Sequence, residues 1–168
     1  LLFLFWFWCW TENHFSKGIT STENGYVCTG TSSGNIVVIN VPSRGGEGIT
    51  FFDNLETKES PVSCLGSSIA LVACGNDNGD IFGFDPNSAF ERVCRFNGLG
   101  FPCTSIAVKD DYILASFMNG KIRLYRPSVQ ELSIEINAHS RNINAIAVHP
   151  SQYLAGSVGD DQILHVWT

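Results

Sequence analysis

Short hydrophobic runs, joined in pairs by tight polar turns, recur along this chain of 168 residues. The turns are Ser33-Gly34, Asn78-Gly79, Asn119-Gly120 and Asp161-Gln162. Each pair closes on a large residue six positions after its turn opens, and these closing residues are Ile39, Phe84, Tyr125 and Trp167. Both series are spaced by 45, 41 and 42 residues. A period of about forty residues that is carried by hairpins predicts the blades of an all-β propeller.

Each period has room for four strands and needs no helix. The paired runs predict hairpin strands at 26–31 with 35–40, 71–75 with 80–85, and 113–117 with 121–125. A proline follows each pair and marks a corner, because proline cannot continue a strand ladder; these are Pro42, Pro86 and Pro127. Outer strands are predicted at 49–52, 90–96 and 131–136, and first strands of the next blades at 62–65, 104–108 and 143–148. The two Asn-Gly turns predict type I′ geometry, with positive φ at both central residues.

Composition narrows the class of partner. The chain is 44% hydrophobic and has a formal net charge of −6, with no basic run. Nucleic-acid binding needs a cationic surface, so we expect no DNA or RNA partner. The six cysteines form no C-x-x-C pair and most fall in strand-like runs, which predicts buried, reduced thiols and no metal site. We expect no cofactor. Asn-x-Ser/Thr sequons are absent from the sequence, which favours a cytoplasmic location.

Residues 1–10 are strongly apolar and contain five bulky aromatic side chains in their last six positions. They lack a basic leader and a small-residue cleavage site, and they are about half as long as a membrane span. We therefore predict the terminal strand of a preceding, truncated blade and no membrane insertion. Residues 11–168 are predicted to form the blades, with hairpin turns at 33–34, 78–79, 119–120 and 161–162.

The last repeat carries the most specific motif. Ala138-His139 precedes an apolar run at 143–148, and Ser157, Asp161 and Trp167 follow. This set resembles a WD-repeat blade. The resemblance implies that His139, Ser157, Asp161 and Trp167 form a buried hydrogen-bonded network inside one blade. The alternative is a hydrolase triad of Ser157, His139 and Asp161, but no Gly-x-Ser-x-Gly elbow surrounds the serine. We expect the structural role.

The other repeats keep the strand pattern and lose the motif, since Ile39, Phe84 and Tyr125 stand where the fourth repeat has Trp167. Three further strings, at 15–20, 98–103 and 136–141, are similar to one group of WD-repeat proteins. That resemblance implies a propeller about twice this length, so that the chain supplies about half a ring of three to four four-stranded blades.

Loops between blades are expected to open on one face, at 53–60, 97–102 and 137–142. The candidate partner-binding residues in or beside them are Asp53, Glu56, Glu59, Leu99, Phe101 and Arg141. For Phe101, packing between blades is an equal alternative. WD-repeat proteins generally hold protein partners, which makes a non-enzymatic interaction scaffold the leading hypothesis. The alternative is a structural subunit of a larger ciliary or vesicle-associated assembly, with self-association through the sheet faces that half a ring leaves uncovered.

Overall fold

The computed structural model describes residues 15–42, 48–57 and 60–168. In these residues the strands form four antiparallel sheets that follow one another along the chain, three of them with four strands and the last with three. Within each sheet, neighbouring strands are also consecutive in sequence. The all-β propeller architecture predicted from the repeat is confirmed. The predicted strand at 1–10 lies outside the described residues.

The strand bounds repeat from sheet to sheet. The first sheet contains β1 Phe15–Ser21, β2 Tyr26–Thr31, β3 Asn35–Asn40 and β4 Thr50–Glu56. The second contains β5 Val62–Ser67, β6 Val72–Asn76, β7 Ile81–Asp85 and β8 Glu91–Phe96. The third contains β9 Cys103–Lys109, β10 Tyr112–Phe117, β11 Lys121–Arg126 and β12 Glu131–Asn137, with a 3-10 turn at Pro127–Val129. The fourth contains β13 Ile143–Val148, β14 Ala155–Gly159 and β15 Leu164–Trp167.

The first strands β1, β5, β9 and β13 lie side by side, each against the first strand of the next sheet. The apolar core fills the gaps between successive sheets, because both faces of an inner sheet are covered. Val38 and Phe82 belong to the core between the first two sheets, and Ile81 and Phe117 to the core between the second and third. A smaller cluster around Ile122 and Ile143 joins the last two sheets.

The hairpin turns differ from the predicted type I′ geometry. The Gly79 N–H donates to the Asn76 carbonyl at 3.0 Å, and Gly79 has a φ of 80°. Asn78 does not have positive φ. The turn is therefore a three-residue loop whose last residue alone is left-handed, and the prediction of two positive φ values was wrong. Gly34, Gly120 and Gln162 occupy the same left-handed position in the other three turns.

The outer strand of the first sheet is longer than predicted. Asp53 pairs with Val38 and Glu56 pairs with Asn35, so both acidic residues belong to β4 and the prediction of a loop from 53 was wrong. A register shift at Val38/Ile39 lets the ladder continue past the apolar residues. Polar side chains are tolerated there because β4 is an edge strand whose residues are mostly exposed. Strand β1 was not among the elements predicted from the sequence.

Candidate functional site

One face of the molecule collects the hairpin turns and the loops between sheets. The Met118 N–H donates to the Pro102 carbonyl at 3.0 Å, the Gly100 N–H to the Asn78 carbonyl at 3.1 Å, and the Asp160 N–H to the Asn142 carbonyl at 2.9 Å. We call this side the loop face; it comprises the turns at 31–34, 76–79, 117–120 and 159–162 and the inter-sheet loops at 97–102 and 138–142. Each described loop is thereby bonded to a hairpin turn beside it.

The opposite face carries the other connections. The Asn87 side-chain amide donates to the Ile69 carbonyl at 3.1 Å, and the Asn24 side-chain amide donates to the Asn87 side-chain oxygen at 2.7 Å. These contacts join the β1–β2 and β5–β6 turns to a β7–β8 corner. The two faces therefore present different segments, and only the loop face contains the predicted interaction loops.

The four network residues predicted from the last repeat lie in one hydrogen-bonded chain. The Trp167 indole N–H donates to the Ser157 hydroxyl oxygen at 3.0 Å. Ser157 Oγ lies 2.8 Å from His139 Nε2, and His139 Nδ1 lies 2.9 Å from a carboxylate oxygen of Asp161. One protonation pattern satisfies every partner: Ser157 donates to Nε2, and Nδ1–H donates to the carboxylate. The network crosses from the inter-sheet loop, through β14, to β15.

Asp161 is the charged end of this network. Its side chain is 6% exposed. Burial raises the pKa of this carboxyl, but hydrogen bonds from His139 and from the backbone N–H groups of Ser140 and Ile163 outweigh it, so the pKa lies below its usual value. The carboxylate accepts from Ser140 at 3.0 Å and from Ile163 at 3.3 Å. It therefore holds the turn and the loop together as a fixed anion.

His139 also links two sheets. Its backbone N–H, together with that of Ala138, donates to the Gly120 carbonyl in the third sheet at 3.0 Å, while its side chain enters the fourth. A side chain at Gly120 would be blocked, because a Cβ there would stand 2.1 Å from the His139 carbonyl oxygen. Glycine is required at this position both for the approach of the loop and for a φ of 78°.

The second sheet has a different polar lock, which the sequence analysis missed. Asn76 Oδ1 accepts from the backbone N–H groups of Asn78 and Asp80 at 3.0 and 2.9 Å. Asp80 Oδ1 accepts from the Gly98 N–H at 2.7 Å. Both side chains are buried, and the loop is again tied to the turn. The sequence signal was the pair of polar residues that flanks Asn78-Gly79 inside an otherwise apolar hairpin.

The triad residues do not open onto a cleft. His139 and Ser157 are buried within the fourth sheet, and the serine oxygen already accepts from the Trp167 indole. His165 packs against His139, with the two ring centroids 4.9 Å apart. A substrate carbonyl has no free approach to Ser157 in this arrangement.

Several candidate partner-binding residues meet on the loop face. Leu99 is 67% exposed, Phe101 is 47% exposed and Met118, which the sequence analysis did not select, is 52% exposed. Arg141 is exposed on the next loop. Asp53 and Glu56 are exposed on β4 of the first sheet, and Glu59 lies outside the described residues. We call Leu99, Phe101 and Met118 the apolar patch.

A hollow of about 560 Å³ opens beside the patch. Its lining includes Ser63, Asp77, Pro102, Met118, Asn142 and Asn144. Within the described residues, no group of three or more His, Cys, Asp or Glu side chains could hold a metal ion. The hollow is lined by both polar and apolar side chains.

A repeated four-stranded sheet locked by loop-to-turn bonds, with a His–Ser–Asp–Trp network in one blade, defines a WD-repeat β-propeller protein. The WDR54 family model matches residues 10–168. The chain belongs to the WDR54 family.

Relatives of that name are similar over most of this chain. Over 160 residues it is 27% identical to WD repeat-containing protein 54 of Mus musculus and 28% identical to WD repeat domain 54 of Rattus norvegicus, with 91% of this chain covered in each case. Each alignment covers 47% of the relative. The chain spans about half the length of the curated relatives it matches.

Solved propellers share the fold. A chain of the Mitotic Checkpoint Complex superimposes with a TM-score of 0.79 at 16% identity, over 92% of this chain and 48% of that one. The RRP9 WD40 repeats superimpose with a TM-score of 0.79 at 14% identity, over 94% and 48%. At these identities the likeness concerns the fold alone. Among the described residues no helix has the length and apolar character needed to cross a membrane.

Proposed function

We propose that this chain forms part of a non-enzymatic scaffold that binds protein partners on its loop face. The apolar patch carries this proposal, because Leu99, Phe101 and Met118 are large apolar side chains that are exposed on the loop face. Exposed apolar side chains with a polar rim are typical anchors of protein interfaces. Asp77 and Arg141 are exposed nearby and would supply the polar rim.

The patch is held rigidly by the backbone. Gly100 lies between Leu99 and Phe101, and its N–H donates to the Asn78 carbonyl. The Met118 N–H donates to the Pro102 carbonyl. Gly100 also has a φ of 80°, which turns the loop sharply at that point. A surface ordered before binding loses less conformational entropy when a partner docks, so a small patch can support useful affinity.

The proposal of a non-enzymatic role is supported by the burial of the triad-like side chains of Ser157, His139 and Asp161. We expect no cofactor and no nucleic-acid partner, the latter because the chain carries a net charge of −6. We also propose a cytoplasmic location, with a ciliary or vesicle-associated one as the alternative. Imaging of the tagged protein together with ciliary and vesicle markers distinguishes the two.

Paired substitutions test the proposed surface. Leu99→Asp and Phe101→Asp should each reduce binding of a purified partner by about tenfold or more, since an anchor would be replaced by a charge. Ile69→Asp is the matched control, because Ile69 is 62% exposed on the opposite face. Partners are first found by quantitative affinity capture and then titrated as purified proteins. Equal binding by all three variants would contradict the proposal.

A role as a structural subunit that associates with itself is a second candidate. Within the described residues, β15 pairs only with β14, and its Leu164 and Val166 are exposed. Ile134 and Leu124 of the third sheet line an adjoining apolar groove of about 380 Å³. Concentration-dependent sedimentation that is abolished by Val166→Lys would favour this candidate, because an edge lysine opposes strand pairing.

A further inference from the structure

Two cysteines face each other across the boundary between the second and third sheets. Cys64 lies on β5 and Cys103 is the first residue of β9, and their sulfur atoms are 3.4 Å apart. Both residues are buried, and both belong to the core between these sheets. They are 39 residues apart in sequence, so only the packing of neighbouring sheets brings them together.

The surrounding atoms hold this approach in place. Ser63 Oγ lies 2.6 Å from the Cys103 carbonyl oxygen and anchors the start of β9 to β5. Gly75, the ladder partner of Cys64, leaves room for both sulfurs. A Cβ at Gly75 would stand 2.5 Å from Cys103 Sγ and 3.1 Å from Cys64 Sγ. A side chain at residue 75 would separate the two thiols, and glycine lets them meet.

The pair does not form part of a metal site. Among the described residues, no third Cys, His, Asp or Glu completes a metal-binding group. Cys28 and Cys74 belong to the core cluster between the first and second sheets. Two thiols at this separation, in neighbouring elements, are instead placed to react with each other.

We propose that Cys64 and Cys103 are a thiol modification site at which hydrogen peroxide introduces a disulfide between the second and third sheets. Peroxide transfers one oxygen to the Cys64 sulfur, giving a sulfenic acid and one water. The Cys103 sulfur then displaces the hydroxyl group, which leaves as a second water with the Cys103 proton. Two thiols are oxidised by two electrons and one peroxide is reduced. The sulfurs must close from 3.4 Å to about 2.05 Å.

Access and order of reaction follow from the surroundings. Cys103 lines the hollow on the loop face, which gives a small oxidant a route to the pair. Burial raises the pKa of the Cys103 thiol well above that of an ordinary cysteine. Cys64, which is slightly more exposed, takes the oxygen first, and Cys103 keeps its proton until it passes to the departing hydroxyl group. The new bond would fix the two sheets directly beside the loop that carries Leu99 and Phe101.

Peptide mapping of the full chain tests the site. The folded protein is treated with hydrogen peroxide, its remaining thiols are alkylated, and it is digested under non-reducing conditions with trypsin and chymotrypsin. Cleavage after Leu65 or Leu71 separates Cys64 from Cys74, so the linked pair can be identified without ambiguity. We expect a Cys64–Cys103 peptide that disappears on reduction. The oxidised protein should melt about 5 °C or more above the reduced protein, because the bond closes a long loop.

Variants provide the matched controls. Cys103→Ala should abolish the linked peptide and the rise in melting temperature, whereas Cys28→Ala, also at a buried cysteine, should leave both unchanged. Two outcomes overturn the proposal: all described cysteines of the peroxide-treated folded protein remain open to alkylation once it is unfolded, or the first disulfide joins a different pair. The mapping of the unsubstituted chain decides the matter even where a variant fails to fold.

Discussion

The indole nitrogen of Trp167 and the hydroxyl of Ser157, ten residues apart, share a hydrogen bond of 3.0 Å that ends a chain leading back to His139 and Asp161. The serine is thus both acceptor from the tryptophan and donor to the histidine. Each polar side chain of this network has a partner, which is the condition for keeping such groups in an apolar interior. The same bond positions Trp167 against the core that joins the last two sheets.

His139→Ala should lower the free energy of unfolding by about 1–3 kcal/mol, because the buried Ser157 hydroxyl loses its acceptor. Urea denaturation followed by circular dichroism measures the change. His149→Ala is the control; its ring accepts from exposed backbone N–H groups at Ser151 and Gln152, so its loss should be smaller, below about 1 kcal/mol. Equal losses for the two variants would contradict a buried network in the fourth sheet.

Alanine substitutions at two glycines distinguish the loss of stability caused by a left-handed backbone from the loss caused by a blocked loop. Gly100 and Gly120 both have positive φ, but a Cβ at Gly100 would meet nothing within 4 Å, whereas one at Gly120 would stand 2.1 Å from the His139 carbonyl oxygen. Gly100→Ala should cost about 1 kcal/mol. Gly120→Ala should cost clearly more, about 3 kcal/mol, because the loop must move away from the turn. Chemical denaturation of both variants in one buffer gives the comparison, and similar costs would argue against a tight loop-to-turn contact.

Gln162 occupies the turn position that is glycine in the other three hairpins, with a φ of 66°. Gln162→Gly should raise the free energy of unfolding by about 0.5–1 kcal/mol, because relief of the left-handed backbone exceeds the added freedom of the unfolded chain. Thermal unfolding would record this as a higher melting temperature. Gln152→Gly, at a residue without positive φ, should be neutral or destabilising. A destabilised Gln162→Gly protein would mean that the glutamine side chain makes contacts that compensate for its backbone.

The carboxylate of Glu135 on β12 predicts a pH dependence. Hydrogen bonds from Lys121 and then from Arg123 hold its pKa below the ordinary value of 4.5. The Arg123 side chain is buried and lies 4.6 Å from the Phe117 ring centroid, so removal of the carboxylate leaves a poorly hydrated cation. Glu135→Gln should therefore cost about 1–2 kcal/mol at pH 7.

The sign of the effect follows from the lowered pKa. The carboxylate stabilises the folded state fully above pH 4.5, and this contribution is lost as the pH falls through the lower folded-state value. The gap in melting temperature between the unsubstituted protein and Glu135→Gln should therefore narrow as the pH falls below 4.5. Glu131→Gln, on the same strand, is the control, since Glu131 forms no ion pair among the described residues. A gap that stays constant with pH would rule out the ionised carboxylate as its source.

The repeat was visible in the sequence because its signals are local. Turn glycines and closing residues such as Tyr125 recur at nearly constant spacing, and each is set by the strand and turn beside it. Strand β1 was missed because Lys17 and Gly18 interrupt its pattern, and a ladder to β2 compensates for that weakness. The predicted turn type was wrong because Asn-Gly also fits a three-residue loop. Which of the two turns forms depends on the register between the paired strands.

Contacts between repeats could not be derived from spacing. The exposure of Met118 beside Phe101 depends on how one loop meets the next turn, and the Cys64–Cys103 contact depends on the packing of two sheets. The His139 network was accessible only because its residues resemble a known blade motif. The Asn76–Asp80 lock has no such motif, because it depends on hydrogen bonds between buried side chains and the backbone of the turn.

The loop-to-turn bonds determine how this chain can be divided for expression. A fragment that ended at Phe96 would contain every strand of the second sheet, yet it would lack Gly98 and Gly100, whose N–H groups bond to Asp80 and Asn78 in that sheet's own hairpin. A fragment that ends at the last strand residue of a sheet would therefore leave the hairpin turn of that sheet without these hydrogen bonds. The separable piece of this protein is a sheet together with the loop that leads out of it.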